Sequence, residues 1–142
     1  MMYILDTNVV SQFHKPRPDR GVLAWVGERS EAELHISVIT VMEIEIGIRR
    51  LERRDAEQAR RLQNWLDHTV IRAFQGRILP IDLDVARRCA PRHVPDPAPE
   101  RDALIAATAS SHGFTVVTRN EKDFRRLGVP VLNPFEVLDA RR

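Results

Sequence analysis

Short runs of apolar and β-branched residues alternate with helical patterns along the whole of this sequence. The strand-like runs cover residues 3–5, 34–37, 78–81, 115–118 and 129–132. The helical patterns between them cover residues 19–29, 40–53, 55–75, 84–90 and 100–112, with a short helix after residue 120. Such alternation is typical of folds in which helical crossovers join parallel strands. We therefore predict an α/β fold, a three-layer α/β/α sandwich built on a short five-stranded parallel sheet.

Capping residues indicate where several of these helices begin and end. Asp19 and Asp55 are predicted N-caps, and Thr40 with Glu43 has the spacing of a capping box. Gly113 is predicted to end the helix that precedes the fourth strand. Pro80 indicates that the third strand lies near a sheet edge, and the prolines in residues 91–99 indicate an irregular loop. Pro134 is predicted to begin a terminal helical turn.

The composition is that of one folded domain without disulfide bonds. The chain has 142 residues, of which 43% are hydrophobic and 30% charged, a balance that a disordered chain does not have. Cys89 is the only cysteine, so an intrachain disulfide is excluded, and we expect a small buried hydrophobe at this position. The first residues lack the features of a signal peptide, and no apolar run is long enough to span a bilayer. We therefore expect a cytoplasmic protein with no membrane association.

The positive charge of the chain is carried almost entirely by arginine. Lys15 and Lys122 are the only lysines among 22 basic residues, and the formal net charge is +2. Arginine suits bidentate contacts to phosphate, which favours a nucleic-acid partner. An arginine-rich composition also arises from genomic base composition, so this feature alone leaves both explanations open.

Acidic residues fall where the strands of such a sheet end. Asp6 follows the first strand, and Glu43 lies in the first helical turn after the second. Asp102 lies in the first turn of the helix before the fourth strand, and Asn120 and Asp123 follow that strand. In open parallel sheets, sites form outside the carboxyl ends of the strands near the switch point in strand order. Distant segments are therefore predicted to bring these side chains to one rim.

Each of these residues also has a purely structural explanation. Glu43 fits a capping box, Asp102 is favoured by the helix macrodipole, Asn120 can cap a short helix, and Asp6 can be an ordinary turn residue. These explanations do not account for the small apolar residues 103–107 that follow Asp102. Their pattern predicts a helix packed closely against the sheet, so that Asp102 begins a buried element.

Several carboxylates in one cleft repel one another unless a cation neutralises them. Oxygen ligands without cysteine select a hard ion such as Mg²⁺ or Mn²⁺. Such ions bridge phosphate oxygens, activate water and stabilise the leaving oxygen in phosphodiester hydrolysis. The sequence thus indicates a metal-dependent nuclease.

Four segments occur in a characteristic order and spacing: residues 4–8 (ILDTN), 36–43 (ISVITVME), 102–109 (DALIAATA) and 117–124 (VTRNEKDF). Together they resemble the PIN-domain family, and specifically the VapC-type ribonuclease toxins of type II toxin–antitoxin systems. The resemblance extends over essentially the whole chain, which implies a single PIN domain over residues 1–142. It implies a sheet of order 3-2-1-4-5 and a Mg²⁺-dependent endoribonuclease, with Mn²⁺ as a possible substitute, that hydrolyses RNA with a metal-activated water. It also implies a homodimer and a small cognate antitoxin that inhibits the protein in a higher assembly.

The same resemblance assigns roles to individual residues. Asp6 and Asp102 take the positions of metal ligands, and Glu43 with the 120–123 turn completes the acidic pocket. The side chains of Thr7, Asn8 and Thr118 are expected to hold these carboxylates in place by hydrogen bonds. Asn120 departs from the acid that many relatives carry there. We assign the fourth catalytic carboxylate to Asp123 and predict that Asn120 caps the following helix.

Two other functions and a zinc site are compatible with some features of the sequence. An aspartyl-phosphate phosphatase or receiver domain also places acids at strand ends, but the phosphatase motif Asp-x-Asp is not met by Asp6-Thr7-Asn8. A PIN-like nucleic-acid-binding or regulatory module without catalytic activity remains the alternative. The five histidines show no paired ligand spacing, which disfavours a zinc site.

Two consecutive helices carry more apolar residues than a thin sheet is expected to cover. These residues are Ile44, Ile46, Ile48, Leu51, Leu62, Trp65, Leu66 and Val70. Burial in the core of the monomer explains them equally well. Together with the family resemblance, they are the basis for predicting a homodimer.

Overall fold

The computed structural model describes residues 1–136 and contains one sheet of five parallel strands. The strands are β1 Tyr3–Leu5, β2 Leu34–Ser37, β3 Ile78–Leu79, β4 Thr115–Val117 and β5 Val131–Leu132. Their order is β3-β2-β1-β4-β5, as the resemblance implied, and β3 lies at an edge, as Pro80 predicted. The α/β prediction is therefore confirmed, with strands that are mostly shorter than their sequence patterns.

Helices connect the strands and vary widely in length. They are α1 Thr7–Val10, α2 Arg20–Gly27, α3 Val38–Glu52, α4 Ala56–Trp65, α5 Ile71–Ala73, α6 Leu83–Cys89, α7 Glu100–His112 and α8 Glu121–Arg126. A π-helical segment, Leu66–Val70, joins α4 to α5, and 3-10 turns cover Ser11–His14, Glu31–Glu33 and Ala90–His93. No helix within residues 1–136 is long and apolar enough to cross a membrane. The turn predicted from Pro134 falls largely on residues 137–142, outside the described residues.

Both faces of the sheet are covered, which gives the three predicted layers. Successive side chains of a strand point to opposite faces, and in β1 the outer two, Tyr3 and Leu5, belong to one core cluster while Ile4 belongs to the other. The first cluster packs with residues of α1 to α4, and the second with residues of α6, α7 and α8. Val117 and Val116 of β4 divide between the clusters in the same way.

Most of the predicted helix caps are present, but the capping box is not. The carboxylates of Asp19 and Asp55 accept backbone N–H groups three residues ahead, and Gly113 ends α7 with φ of 71°. Helix α3, however, begins at Val38, because the Ser37 hydroxyl accepts the Ile39 N–H at 2.9 Å. Thr40 thus lies inside the first turn of α3, and the predicted capping box with Glu43 is wrong.

The apolar surplus predicted for α3 and α4 is largely absent. Ile44, Ile48, Leu66 and Val70 are buried in the core of the monomer, and Leu51, Leu62 and Trp65 pack against that core. Helix α4 packs against α3, so most of the apolar surface of the two helices is buried between them and in the monomer core. The homodimer stays a prediction, but this surplus no longer supports it.

Candidate active site

The predicted acidic rim lies at the switch point of the sheet. After β1 the chain builds β2 and β3 on one side, and later β4 and β5 on the other. Leu5 of β1 pairs with Val117 of β4, and the backbone N–H of Asp6 donates to the Val117 carbonyl at 2.9 Å. The residues that follow these two central strands, Asp6 and Thr118, are therefore neighbours although 112 positions separate them.

Asp6 is held by hydrogen bonds to both of its carboxylate oxygens. Its Oδ1 accepts the Thr7 backbone N–H at 2.8 Å, which caps the short helix α1. Its Oδ2 accepts the Thr118 hydroxyl at 2.8 Å and the Asn8 side-chain amide at 3.3 Å. Only 4% of Asp6 is exposed. The residues expected to orient this carboxylate thus surround it.

A second set of contacts fixes Glu43. The Thr7 hydroxyl oxygen lies 2.6 Å from Glu43 Oε1 and 3.0 Å from the Thr40 hydroxyl oxygen. A carboxylate only accepts and a hydroxyl has one proton, so Thr7 donates to Glu43 and the buried Thr40 donates to Thr7. On its other side Glu43 Oε2 lies 3.7 Å from a guanidinium nitrogen of Arg101. Thr7 therefore connects α1 to α3 at the site.

Two carboxylates of the cluster, Asp6 and Asp102, have raised pKa values. The pKa of Asp6 is raised to about 6, chiefly by burial, with repulsion from Asp102 and Glu43 adding to the effect. The hydrogen bonds from Thr118 and Thr7 oppose this rise without cancelling it. Burial also raises the pKa of Asp102, followed by repulsion from Glu43 and Asp123. The sequence-predicted acids therefore form one electrostatic cluster.

The structure separates the positions of Asn120 and Asp123. Asn120 occupies the N-cap position of α8 but its side chain makes no capping hydrogen bond, so the predicted side-chain cap is wrong. Its backbone N–H donates to the Thr118 hydroxyl at 3.0 Å, and the residue is exposed. Asp123 lies in the first turn of α8, and its charge acts on Asp102.

The donor set of this cluster fits a hard divalent cation. Its ligands are carboxylate oxygens, supported by hydroxyl and amide groups, without sulfur or imidazole. Burial and mutual repulsion disfavour the ionised forms of Asp6 and Asp102, and a bound cation would remove both penalties. Asp6 and Asp102 are therefore the carboxylates that we propose as its ligands.

Arg101 is a site residue that the sequence reasoning missed. It precedes Asp102 in the first turn of α7, and it is the cation paired with Glu43. The available signal was its place beside a predicted ligand, on a helix whose inner face is apolar. An arginine here moderates the negative charge of the cluster.

The sequence reasoning also overlooked a group formed by Cys89, His93 and Glu100. Cys89 is buried, as predicted, and its Sγ lies 3.7 Å from His93 Nε2, which lies 3.2 Å from Glu100 Oε2. The Ala98 backbone N–H donates to His93 Nδ1 at 3.1 Å. Since Nδ1 accepts, the proton of the neutral ring is on Nε2, which donates to Glu100 and has no lone pair for a metal. The contacts of His93 therefore connect residues 90–99 to the start of α7, and they do not form a metal site.

Known proteins resemble this chain over nearly its full length. A VapC ribonuclease of Sinorhizobium fredii is 39% identical over 141 residues, covering 95% of this chain and 99% of that protein. The toxin FitB of Neisseria gonorrhoeae is 36% identical over 140 residues, covering 94% and 99%. The crystal structure of FitAcB from the same organism superimposes with a TM-score of 0.86 at 33% identity, covering 96% of this chain and all of that one. Since the PIN domain family also matches residues 3–130, this chain, with its acidic cluster at the switch point, belongs to the PIN domain family.

Proposed function

We propose that this chain is a Mg²⁺-dependent endoribonuclease and the toxin of a type II toxin–antitoxin pair. The observation that carries the proposal is the cluster of Asp6, Glu43, Asp102 and Asp123 at the carboxyl end of the central strands, in which two carboxyl pKa values are raised. Two of the similar proteins are named a VapC ribonuclease and a toxin, which supports both parts of the proposal.

The partner of the chain follows from the same likeness. One similar structure is that of FitAB bound to a DNA fragment, with 33% identity to this chain, and another is a toxin–antitoxin complex from Klebsiella pneumoniae, with 28% identity. We propose that a small cognate antitoxin inhibits this chain and that the two form a higher assembly. We further propose that residues 1–142 are one PIN domain, that the chain forms a homodimer, and that it acts in the cytoplasm.

In this proposal each side chain has a distinct task. Asp6 and Asp102 would hold Mg²⁺, for which Mn²⁺ would substitute. When bound, such an ion polarises the phosphate and lowers the pKa of water, which supplies the nucleophile for phosphodiester hydrolysis. Thr118 keeps Asp6 oriented by a 2.8 Å hydrogen bond, and Thr7 does the same for Glu43 at 2.6 Å.

The acids at the edge of the cluster have a different task from the two ligands. Asp123 lies near enough to raise the pKa of Asp102, and it adds negative charge without the hydrogen-bond network that fixes Asp6. We propose that Asp123 would orient water around a bound ion, as outer-shell partners do. Glu43 is held between Thr7 and Arg101, and we propose that it accepts a proton from the attacking water.

The test is cleavage of defined RNA by the purified toxin as the divalent cation is varied. We expect cleavage with Mg²⁺ or Mn²⁺, none in excess EDTA, and recovery on adding Mg²⁺ back. Asp102→Asn should be inactive, whereas the matched control Asp67→Asn, an exposed carboxylate on the π-helical segment, should cleave at the wild-type rate. Undiminished cleavage in EDTA would exclude the metal, and RNA binding without cleavage under all conditions would favour a catalytically inactive binding module.

A further inference from the structure

A small cavity opens directly beside the carboxylate cluster. It measures about 210 Å³ and lies between the Ser11–His14 turn, helix α3 and the end of α4. Thr7 and Glu43 line it, and these are the two residues that are joined by the 2.6 Å hydrogen bond of the site. A ligand group in this cavity is therefore adjacent to the reacting phosphate.

The lining of the cavity favours a neutral aromatic group. Its apolar part includes Leu62 and Trp65, and the Trp65 ring meets the His14 ring edge-to-face with centroids 4.9 Å apart. Bases of single-stranded RNA stack on such side chains. Its polar part includes Ser11, whose hydroxyl has no hydrogen-bond partner among residues 1–136.

Charge and size narrow the choice of ligand further. No lysine or arginine lies among the described residues that line the cavity, and Glu43 contributes a negative charge, so a phosphate is disfavoured. Burial lowers the pKa of His14, which makes its ring neutral near pH 7 and able to donate and accept. Pockets for drug-sized ligands have about 300–1,000 Å³, so this cavity accommodates one ring system.

We propose that this cavity binds one base of the RNA substrate, the base next to the scissile phosphate, against the paired rings of Trp65 and His14 and beside Ser11. This inference rests on the proposed ribonuclease function and adds a subsite to it. The cavity would select substrates in which that nucleotide is unpaired, because a base must leave its stack to enter.

Gly47 provides a way to close the cavity without disturbing the fold. It lines the cavity in the middle of α3, and a Cβ added there meets no atom within 4 Å. Gly47→Leu therefore extends into open space and also removes an unfavourable helix residue. Gly27→Leu is the matched control, since Gly27 is another exposed helical glycine with equal room, located in α2 outside the cavity.

The experiment first maps the bond that the wild-type toxin cleaves in an RNA oligonucleotide. It then measures kcat/KM on that oligonucleotide and on versions with one abasic residue on either side of the bond. We expect the wild type to lose about 5- to 150-fold at one of these positions, the range that corresponds to one stacked base. Gly47→Leu should lose a similar factor on the parent RNA and little more on the abasic version, while Gly27→Leu should match the wild type in every case.

Each outcome decides the inference. Equal sensitivity of wild type and Gly47→Leu to the abasic residue would overturn it, as would wild-type cleavage of the parent RNA by Gly47→Leu. Loss of inhibition by the antitoxin with unchanged RNA cleavage would assign the cavity to the antitoxin instead. If the wild type cleaves no RNA with Mg²⁺, the proposed function fails, and the base subsite fails with it. A melting temperature of Gly47→Leu at or above that of the wild type confirms that the variant is folded.

Discussion

Replacing Asp6 with asparagine should stabilise the metal-free protein while abolishing its activity. The ionised carboxylate is almost fully buried among other acids, and its pKa is raised from 3.8 to about 6. A pKa difference of one corresponds to about 1.4 kcal/mol, so above pH 6 the charge of Asp6 destabilises the fold by about 3 kcal/mol. Asparagine has nearly the same shape and no charge.

Part of this gain is lost because asparagine is not a perfect substitute. Its Oδ1 keeps the 2.8 Å hydrogen bond from the Thr7 N–H, but its amide nitrogen replaces the oxygen that accepts from Thr118 and Asn8. The resulting donor–donor contact removes about 1 kcal/mol. We therefore expect a net gain of about 2 kcal/mol, or roughly 4–8 °C in melting temperature.

The sign of the effect depends on pH. Because the pKa of Asp6 is raised in the folded state, its contribution to stability is complete below about pH 3.8 and is lost as pH rises through about 6. Asp6→Asn should thus be more stable than the wild type at pH 7.5 and no more stable at pH 4. Bound Mg²⁺ should reverse the order at pH 7.5, since a concentration 100-fold above Kd stabilises only the wild type, by about 2.7 kcal/mol.

The assay is thermal unfolding in EDTA at both pH values and in Mg²⁺ at pH 7.5, with Asp67→Asn as the exposed control. The control should follow the wild type in all conditions. If Asp6→Asn melts at or below the wild-type temperature in EDTA at pH 7.5, the reasoning from burial and repulsion is refuted.

Three further predictions concern the rest of the site and the assembly. Asp123→Asn should weaken Mg²⁺ affinity and turnover by roughly 10–100-fold, as for other outer-shell partners. Asn120→Ala breaks no capping hydrogen bond, so it should change the free energy of unfolding by less than about 0.5 kcal/mol. Mg²⁺ titrations of RNA cleavage in which Asn120→Ala is the more impaired variant would contradict this. Thr7→Val should lower kcat, because the 2.6 Å hydrogen bond to Glu43 is lost. The same variant should lose about 1 kcal/mol of unfolding free energy, measured by urea unfolding. An unchanged kcat would show that the orientation of Glu43 is unimportant. Light scattering should give twice the monomer mass at micromolar concentration, and a monomer there would refute the homodimer.

The parts of the fold that depend on local signals could be predicted well from the sequence. Strand β2 and helix α7 have the predicted bounds, Leu34–Ser37 and Glu100–His112. Both are delimited by residues with a clear local cause, such as Gly113, whose φ of 71° stops α7. The acidic cluster was also predictable, because parallel strands bring their carboxyl ends to one edge and the matching motifs identify which acids follow them.

The sequence does not show which of two polar groups caps a helix when both are able to do so. Ser37 and Thr40 can both cap α3, and only the end of β2 at Ser37 decides between them. Asn120 has the side chain of a cap, but its backbone N–H donates to the Thr118 hydroxyl and its side chain makes no capping hydrogen bond. In both cases the tertiary arrangement of the strand ends, rather than propensity, selects the partner.

The same limit explains why the energetic character of the site emerges only from the structure. The sequence predicts that the acids meet, but the pKa of Asp6 depends on how deeply it is buried and on how many donors reach it. Three hydrogen bonds to Asp6 reduce the penalty of its charge without abolishing it. The stability of the two apolar clusters that enclose the sheet compensates for the remaining penalty. In the proposed metal-bound state, the cation would neutralise this charge. In this proposal, cation affinity and the loss of stability in the metal-free state have one physical cause. A substitution that relieves the loss of stability should therefore weaken the affinity.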